Sequence, residues 1–573
     1  MLKRKQQLTG FILGIFLFAG AILPVTTFAQ DYEDSPFGFI QGEYGENDDG
    51  KQYIVDLGVH WDKMFQPMAK LIFNPDSSID FSGQDEVVRW LVIEQGLNIP
   101  LSIPIFIEGE QLTHDEYENL CEALIEHYDG DGINDMDGSP VIKYWNVGFT
   151  EMNRGVAQGV PINERAWKLT EVETAEYVKI GYDCIKNMHS EFQVILGGSA
   201  GILTWQEGEP DEYYYNLISE LTGNQQCPDI IFDYHQGSNP TKFKVQIEAM
   251  NIVKETLNNF GYTDNEIWTT DVGGSWDGLG GFTEKEHAGD VVRRYAYTIA
   301  NGQKKLFWTR IVEYDWTDDD SSIFDFMGLV NNPLNTDGKD WKKLAYYTYK
   351  LMVEKLEGSD WSNIETIIED LDNKYAYKFI NDSTGEPIYV AWWDYFEDPA
   401  YTIGDSSLIT LTGISSNQVI VTDAVPNDTS GIYITDYNTA FQIDTLNVTS
   451  GSVSFYLKES PVFIEEISTT SIEETGGSIP DKFQLNQNYP NPFNPQTTIS
   501  YQLPICNKVS LKVYDILGQE VRTLVNENKS AGYHSVVWDG ADNSGRRVSS
   551  GVYFYSLELD HNFSQVKKLL LLK

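Results

Sequence analysis

Two carboxylates, Glu151 and Asp271, each follow an apolar run with the composition of a buried strand. The first run covers residues 142–149, the second covers residues 266–270, and both contain tryptophan. Parallel strands buried on both faces appear in a sequence as continuous apolar runs. A pair of carboxylates beside aromatic rings provides the acid and the nucleophile that break a glycosidic bond. The pattern therefore predicts a carbohydrate-acting enzyme with Glu151 and Asp271 as its catalytic pair.

These carboxylates fall where predicted strands and helices alternate, between about residues 50 and 357. Such alternation predicts parallel strands joined by crossover helices. Strands are predicted at residues 53–60, 70–93, 98–105, 141–147, 192–196, 229–234, 266–270 and 305–309, and helices at 113–128, 172–188, 242–259 and 284–301. Eight strands predict a (β/α)8 TIM barrel, in which Glu151 follows strand four and Asp271 follows strand seven. Active sites of such barrels lie at the C-terminal strand ends.

The barrel region resembles the retaining glycoside hydrolases of clan A. The similarity rests on residues 56–61, 144–148, 232–235, 266–273 and 307–309, in that order along the chain. It implies that Glu151 is the acid/base, that Asp271 is the nucleophile and that cleavage retains the anomeric configuration. The chain departs from the family pattern at both positions. Phe149-Thr150 stands where Asn-Glu is usual, so Glu151 fits only with one inserted residue, and Asp271 replaces a glutamate.

The shorter aspartate affects the expected mechanism. Retaining enzymes hold their carboxyls about 5–5.5 Å apart and inverting enzymes roughly 6.5–9.5 Å apart. Asp is shorter than Glu by one methylene, on the order of 1–1.5 Å of reach. Three outcomes stay open: retention with an adjusted backbone, inversion through water, or no hydrolysis. The third alternative is a catalytically inactive barrel acting as a carbohydrate-binding surface protein, and a purely structural surface protein is a further class.

Aromatic and histidine side chains near the strand ends are predicted to contact the sugar, because apolar sugar faces stack on aromatic rings. Tyr234, His235 and Trp308 are also predicted to orient the nucleophile. The complete predicted substrate-binding set is Trp61, Tyr234, His235, Trp276, Trp308 and Trp316. In the structural alternative, His235 is a core histidine and the two carboxylates cap helices or accept loop amides.

Residues 129–138 place carboxylates in a glycine-rich turn that resembles calcium loops of the Asp-x-Asp-Gly type. Calcium prefers clustered oxygen ligands, and glycine lets the chain bend sharply around them. The loop lacks the distal bidentate glutamate of an EF-hand. The sequence predicts a structural calcium held by Asp129, Asp131, Asp135 and Asp137, with a solvated acidic turn as the alternative. The predicted chemistry requires no cofactor.

The first 29 residues have the pattern of a signal peptide: a basic start at residues 3–5, an apolar segment at 11–23 and small residues near 27–29. An uncleaved membrane anchor is the alternative, and no later stretch is long and apolar enough to span a bilayer. The chain carries 86 acidic against 40 basic residues, a net charge of −46, which repels nucleic acid and disfavours a strongly anionic polysaccharide. Four scattered cysteines exclude a disulfide framework but leave one disulfide open.

The region after the barrel changes to short alternating strands, which predicts a β-sandwich at residues 359–467. A linker is predicted at 468–480. Residues 481–573 resemble the sorting domain of the type IX secretion system, on the motifs at residues 488–495, 513–518, 538–540 and 550–555. The resemblance implies an immunoglobulin-like β-sandwich, an interaction with that machinery, and a secreted or outer-membrane surface-attached protein. The predicted organisation is a signal peptide (1–29), a barrel (30–358), a β-sandwich, a linker and a sorting domain.

Overall fold

The computed structural model describes most of the chain from residue 33 onward. The described residues are 33–41, 51–64, 72–73, 79–107, 110–151, 169–200, 212–222, 227–235, 242–274, 282–313, 327–331, 341–467, 484–485, 488, 491, 493, 496–503, 507–516, 518–529, 532–543, 546–559 and 563–571. The chain divides into two compact units between Ser468 and Thr469. The first contains the barrel and the β-sandwich, and the second contains the C-terminal domain.

Eight parallel strands form the barrel. They are β1 (Phe37–Gln41), β2 (Trp61–Met64), β3 (Pro100–Ile103), β4 (Tyr144–Glu151), β5 (Gln193–Ala200), β6 (Ile231–His235), β7 (Ile267–Val272) and β8 (Leu306–Thr309). They pair in the order β2-β1-β8-β7-β6-β5-β4-β3. A parallel bridge between Trp61 and Asn98 links β2 to the residues just before β3 and nearly closes the sheet.

One helix follows each strand. The helices are α1 (Lys51–Leu57), α2 (Ser82–Val88, continued by a π-helix at Arg89–Glu94), α3 (His114–Tyr128), α4 (Glu171–Met188), α5 (Glu212–Thr222), α6 (Val245–Asn259), α7 (Glu284–Ala300) and α8 (Leu344–Leu356). Capping boxes fix the starts of α3, α4 and α7, where a threonine and a glutamate satisfy each other's backbone amides. Two short antiparallel pairs join Ile72–Phe73 with Ile79–Asp80 and Phe106–Ile107 with Glu110–Gln111.

The predicted (β/α)8 barrel is confirmed, but its first two strands were misassigned. Residues 53–60 were predicted as a strand, whereas Lys51–Leu57 is α1. The region 70–93 contains α2 rather than the second strand. Short apolar runs do not separate strand from helix by periodicity, and Tyr53, Ile54 and Leu57 are buried in a helical spacing. The strand count nevertheless stays correct.

The lower part of the barrel interior is filled by a hydrophobic cluster. Its members point inward from the first half of their strands: Trp61, Ile195, Ile231, Trp268 and Phe307, with Tyr144 packed against them. The Lys305 ammonium lies 4.3 Å from the centre of the Trp61 ring and donates 2.7 Å to the Ser35 carbonyl. Apolar packing closes this end, so any cleft for a substrate must be at the opposite, C-terminal end of the strands.

The predicted β-sandwich has eight strands: β9 (Glu365–Leu371), β10 (Lys374–Ile380), β11 (Pro387–Trp393), β12 (Ser407–Thr412), β13 (Gln418–Asp423), β14 (Ile443–Asn447), β15 (Ser452–Leu457) and β16 (Val462–Glu466). A six-stranded sheet, β9-β10-β11-β16-β13-β14, faces the pair β12-β15. Short 3-10 helices lie at Tyr395–Glu397, Gly431–Tyr433 and Tyr437–Thr439.

The six-stranded sheet shares its outer core with the barrel. Tyr375 and Trp392 of the sheet stack with ring centroids 5.0 Å apart. Phe243, just before α6, meets both rings edge-on at 5.6 Å, and Tyr297 of α7 meets Tyr375 at 5.9 Å. These rings belong to the same buried cluster as the barrel helices, so the barrel and the sandwich bury one common aromatic layer.

The C-terminal unit is an all-β domain with its own core. Its strands are β17 (Gln484–Leu485), β18 (Thr497–Leu503), β19 (Asn507–Tyr514), β20 (Glu520–Lys529), β21 (Gly532–Trp538), β22 (Gly551–Leu559) and β23 (Phe563–Leu571). They form a three-stranded sheet, β17-β18-β21, and a four-stranded sheet, β20-β19-β22-β23. Trp538 is fully buried in this core, with its indole N–H donating 2.9 Å to the Ala541 carbonyl.

Cys121, Cys184 and Cys227 are buried free thiols in this structure. Among the helices of the described residues, none has both the length and the apolar content needed to cross a bilayer.

Candidate active site

Strand register brings the backbones of the two predicted catalytic positions to the same end of the barrel. Asp271 of β7 pairs with His235 of β6, and His235 pairs with Ala200 of β5. Gly198 of β5 pairs with Glu151, the last residue of β4. Asp271 lies within β7, not after it as predicted. The side chain of Glu151 lies outside the described part of the structure, so this register places only its backbone.

Asp271 is a nearly buried carboxylate, 8% exposed, at the C-terminal end of β7. The Thr309 hydroxyl, at the end of β8, donates a hydrogen bond to Oδ1. Oδ2 lies 4.0 Å from Nδ1 of His235. Neighbouring strands on both sides thus contribute a polar group to Asp271, and such contacts hold a carboxylate in one orientation.

The His235 ring is buried beside Asp271, and its predicted role in orienting the nucleophile stays a proposal. Nε2 lies 3.3 Å from Oδ2 of Asp233 and 3.2 Å from the Thr270 hydroxyl. Nδ1 has no hydrogen-bond partner among the described residues. The ring packs closely against the chain at Gly198, where an added Cβ would lie 2.4 Å from Nε2.

A buried ion pair lies beneath the histidine. The Lys63 ammonium, on β2, donates to Oδ2 of Asp233 at 2.7 Å and to the Thr270 hydroxyl at 2.5 Å. The Thr270 amide donates to Oδ1 of Asp233 at 3.0 Å. Burial alone would raise the pKa of Asp233, but the charges of Lys63 and His235 outweigh it and lower that pKa to about 2. Asp233 is therefore ionised at neutral pH.

Sequence reasoning missed three residues of this site: Lys63, Asp233 and Thr270. A signal for Asp233 was present, because alternation along β6 places it on the same side as His235 and opposite Tyr234. Lys63 was missed because it lies between the first two predicted strands, at 53–60 and 70–93, whereas the true strand is Trp61–Met64.

Three predicted sugar-contacting aromatics are core residues, which corrects the prediction. Trp61 is fully buried in the lower cluster of the barrel. Tyr234 points away from the interior, and its hydroxyl donates 2.9 Å to the Gln246 carbonyl of α6. Trp308 is also fully buried, with its indole N–H donating 3.0 Å to the Met327 carbonyl. None of the three has surface to offer a sugar, and the predicted contacts Trp276 and Trp316 lie outside the described residues.

The predicted cation loop brings three of its four carboxylates together. One oxygen from each of Asp129, Asp131 and Asp135 lies within 4.8 Å of the others, whereas Asp137 is exposed and outside this group. Asp129 also pairs with Nε2 of His189 at 2.9 Å. Burial lowers the pKa of His189, but hydrogen bonds to Asp129 and Glu191 outweigh it and raise that pKa. Clustered carboxylate oxygens suit a hard cation such as calcium.

Three solved structures resemble this chain. They are a glucosidase from Croceicoccus marinus, a family 51 α-L-arabinofuranosidase from Bifidobacterium longum and a bacterial orthologue of human α-L-iduronidase. The first two are each 12% identical over 75% of this chain and 95% of their own, with TM-scores of 0.50 and 0.51. The third is 11% identical over 92% of this chain and 96% of its own, with a TM-score of 0.50.

The barrel shares its (β/α)8 fold with these glycosidases. At these identities the similarity concerns the fold alone, so activity stays a proposal. In the C-terminal unit, residues 495–562 match the FlgD Ig-like domain, and this domain is therefore immunoglobulin-like, as predicted. No curated protein matches the chain.

Proposed function

We propose that the protein hydrolyses O-glycosidic bonds of an extracellular polysaccharide, with Glu151 as acid/base and Asp271 as nucleophile. The observation that supports this most strongly is the environment of Asp271. It is nearly buried at the C-terminal end of β7, accepts a hydrogen bond from Thr309 and faces His235, in a barrel whose β4 ends at Glu151.

The proposed reaction is a two-step displacement with retention. The carboxylic acid of Glu151 gives its proton to the leaving glycosidic oxygen while a carboxylate oxygen of Asp271 bonds to the anomeric carbon. Glu151, now ionised, then takes a proton from water, and the resulting hydroxide displaces Asp271 and frees the sugar. The Thr309 hydroxyl donates a hydrogen bond to Asp271 and so holds this carboxylate in the orientation that the attack requires.

The test combines an assay for new reducing ends with gel retardation on a panel of neutral polysaccharides. Hydrolysis by the purified protein, abolished in Glu151→Gln and in Asp271→Asn while retardation persists, supports the proposal. Unchanged hydrolysis in either variant removes that residue from the mechanism. Proton NMR of the first-formed anomer distinguishes retention from inversion.

The alternative is a barrel that binds carbohydrate without cleaving it. The observation in its favour is the aspartate at position 271, which is one methylene shorter than the glutamate usual at this position in the family. If a polysaccharide in the gel retards the unaltered protein but no new reducing ends form, the binding function is supported. If the protein neither cleaves nor binds any polysaccharide of the panel, a structural surface protein is favoured.

We also propose that residues 1–29 are a signal peptide and that the immunoglobulin-like C-terminal domain is a type IX sorting signal, so that the protein is secreted or attached to the outer-membrane surface. The motifs described above support this, and the domain's fold is compatible with it. Deleting residues 481–573 should leave the protein inside the producing cell, whereas undiminished export of the deleted chain contradicts the sorting role.

A further inference from the structure

We propose that Lys63, Asp233 and Thr270 form a positioning set that keeps a proton on Nε2 of His235 and so leaves Nδ1 as the atom facing Asp271. The inference rests on the proposed function in assigning Asp271 a catalytic role. The assignment of the proton rests on the contacts of these four side chains alone.

Asp233 acts only as a hydrogen-bond acceptor. Its Oδ2 lies within 3.3 Å of three groups, the Lys63 ammonium, the Thr270 hydroxyl and Nε2 of His235. Its Oδ1 accepts the Thr270 amide. An ionised carboxylate has no proton to donate, so Asp233 is the acceptor in all four contacts.

The Thr270 hydroxyl has a single proton, which it donates in a hydrogen bond to Asp233. The hydroxyl lies 2.5 Å from Oδ2 of Asp233 and donates to it. Its lone pairs then face the Lys63 ammonium at 2.5 Å and Nε2 of His235 at 3.2 Å. An ammonium can only donate, so the threonine oxygen is an acceptor toward Lys63.

Nε2 of His235 therefore meets two acceptors, the carboxylate of Asp233 and the lone pair of Thr270. A histidine tautomer is assigned from the partners of its two nitrogens, and a nitrogen between acceptors carries the proton. Nδ1 is left on the opposite side of the ring, 4.0 Å from Oδ2 of Asp271. The tight contact at Gly198 opposes a displacement of the ring that would break this arrangement.

Charge balance favours the same arrangement. The charged and titratable groups around the ring in the described residues are Lys63 from β2, Asp233 from β6 and Asp271 from β7. β5 contributes Gly198, which has no side chain to titrate. One ammonium and two carboxylates leave a net negative charge in a buried space. The ring offsets this charge if it keeps its Nε2 proton and accepts a second proton at Nδ1.

The test is ¹⁵N NMR of the histidine rings in the full-length protein across the accessible pH range. Selective labelling limits the spectrum to the eight histidines, and His235→Gln identifies the His235 signals by their loss. We expect Nε2 of His235 to resonate as a protonated nitrogen at every pH, with any change confined to Nδ1. An unprotonated Nε2 at any pH in the folded protein overturns the proposal, and this measurement needs no variant of the positioning set.

The variant that tests the cause is Lys63→Met combined with Asp233→Asn. Asparagine can still accept the Thr270 amide, but it turns an NH₂ donor toward Nε2, so the neutral ring should move its proton to Nδ1. Retention of the Nε2 proton in the folded double variant contradicts the proposed cause. The matched control is Arg294→Met with Asp290→Asn, an equally buried ion pair of α7, which should leave the His235 signals unchanged.

Turnover provides a second, separate measurement. Misorientation at the nucleophile should lower kcat of the Lys63/Asp233 double variant about a hundredfold with little change in KM. An unchanged kcat, with the proton moved to Nδ1, contradicts the positioning role. Failure of the unaltered protein to hydrolyse any polysaccharide defeats the proposed function instead, and the NMR result then still decides the proton assignment.

Discussion

The His235 ring occupies the space that a side chain at Gly198 would need. A Cβ atom at position 198 would lie 2.4 Å from Nε2, 2.6 Å from Cδ2 and 2.9 Å from Cε1 of that ring. Gly198 is also the β5 residue that pairs with Glu151. One glycine thus contacts the ring beside the proposed nucleophile on one side and the strand of the proposed acid on the other.

Gly198→Ala should displace the His235 ring and lower kcat about a hundredfold, since small misplacements at a reacting centre are costly. Steady-state kinetics and thermal unfolding measure the two effects separately. Gly273→Ala is a suitable control at the same end of the barrel, because a Cβ there would find its nearest neighbour at 3.6 Å. Equal kinetics in the two variants would argue against a role for the packing at position 198.

Thr309→Val removes the hydroxyl that donates to Asp271 and keeps the side chain's shape. A hydrogen bond to a charged group contributes about 1.5–3 kcal/mol, so kcat should fall roughly ten- to hundredfold. Thr298→Val provides the comparison: this threonine of α7 is buried, and its hydroxyl has no partner in the described residues. Its replacement should leave kcat unchanged, and a similar loss in both variants would point to a general structural effect.

The free energy of unfolding should fall as the pH rises from about 4.5 to 7, because Glu357 loses its proton. Burial raises the pKa of Glu357 from 4.5 to about 7, against an opposing hydrogen bond from Ser35. The folded state therefore holds a proton that the unfolded state has already released in this window, and raising the pH lowers the free energy of unfolding by on the order of 3 kcal/mol. Glu357→Gln should flatten this part of the pH–stability curve measured by denaturant unfolding.

The control for Glu357 is Glu118→Gln, which removes an exposed glutamate of α3. The slope of the unfolding free energy between pH 4.5 and 7 should be the same in this variant as in the unaltered protein. An undiminished slope in Glu357→Gln would transfer the effect to other groups.

Calcium should raise the melting temperature if the acidic loop binds it, because a ligand that binds only the folded state stabilises it. Comparison of millimolar calcium with chelator measures the shift. Asp131→Asn and Asp135→Asn, each removing charge from the three-carboxylate group, should reduce the shift, and Asp137→Asn should not. A melting temperature that calcium and chelator leave unchanged contradicts the metal site.

Most of the barrel could be predicted because its strands from β3 onward are apolar runs flanked by helical patterns. β1 and β2 were not predicted, and β2 departs from an apolar run because it includes Asp62 and Lys63. Lys63 is buried against partners from distant parts of the chain, and sequence spacing does not reveal such partners. Lys63 and Asp233, for example, are 170 positions apart.

Only part of the site could be predicted, because sequence spacing does not show which side chains meet in the fold. A carboxylate at a strand end is visible in the sequence, and Asp271 lies at one. Whether an aromatic ring faces solvent or core depends on which side of the strand it occupies. Trp61 and Trp308 point into packed regions, and the residue type alone does not show this.

The common aromatic layer of Phe243, Tyr297, Tyr375 and Trp392 limits how the chain can be cut. A barrel ended at residue 358 would leave Phe243 and Tyr297 in water, and a free sandwich would expose Tyr375 and Trp392. Neither half is then a portable module, and an enzyme shortened for crystallography or biotechnology should keep every residue through Glu466.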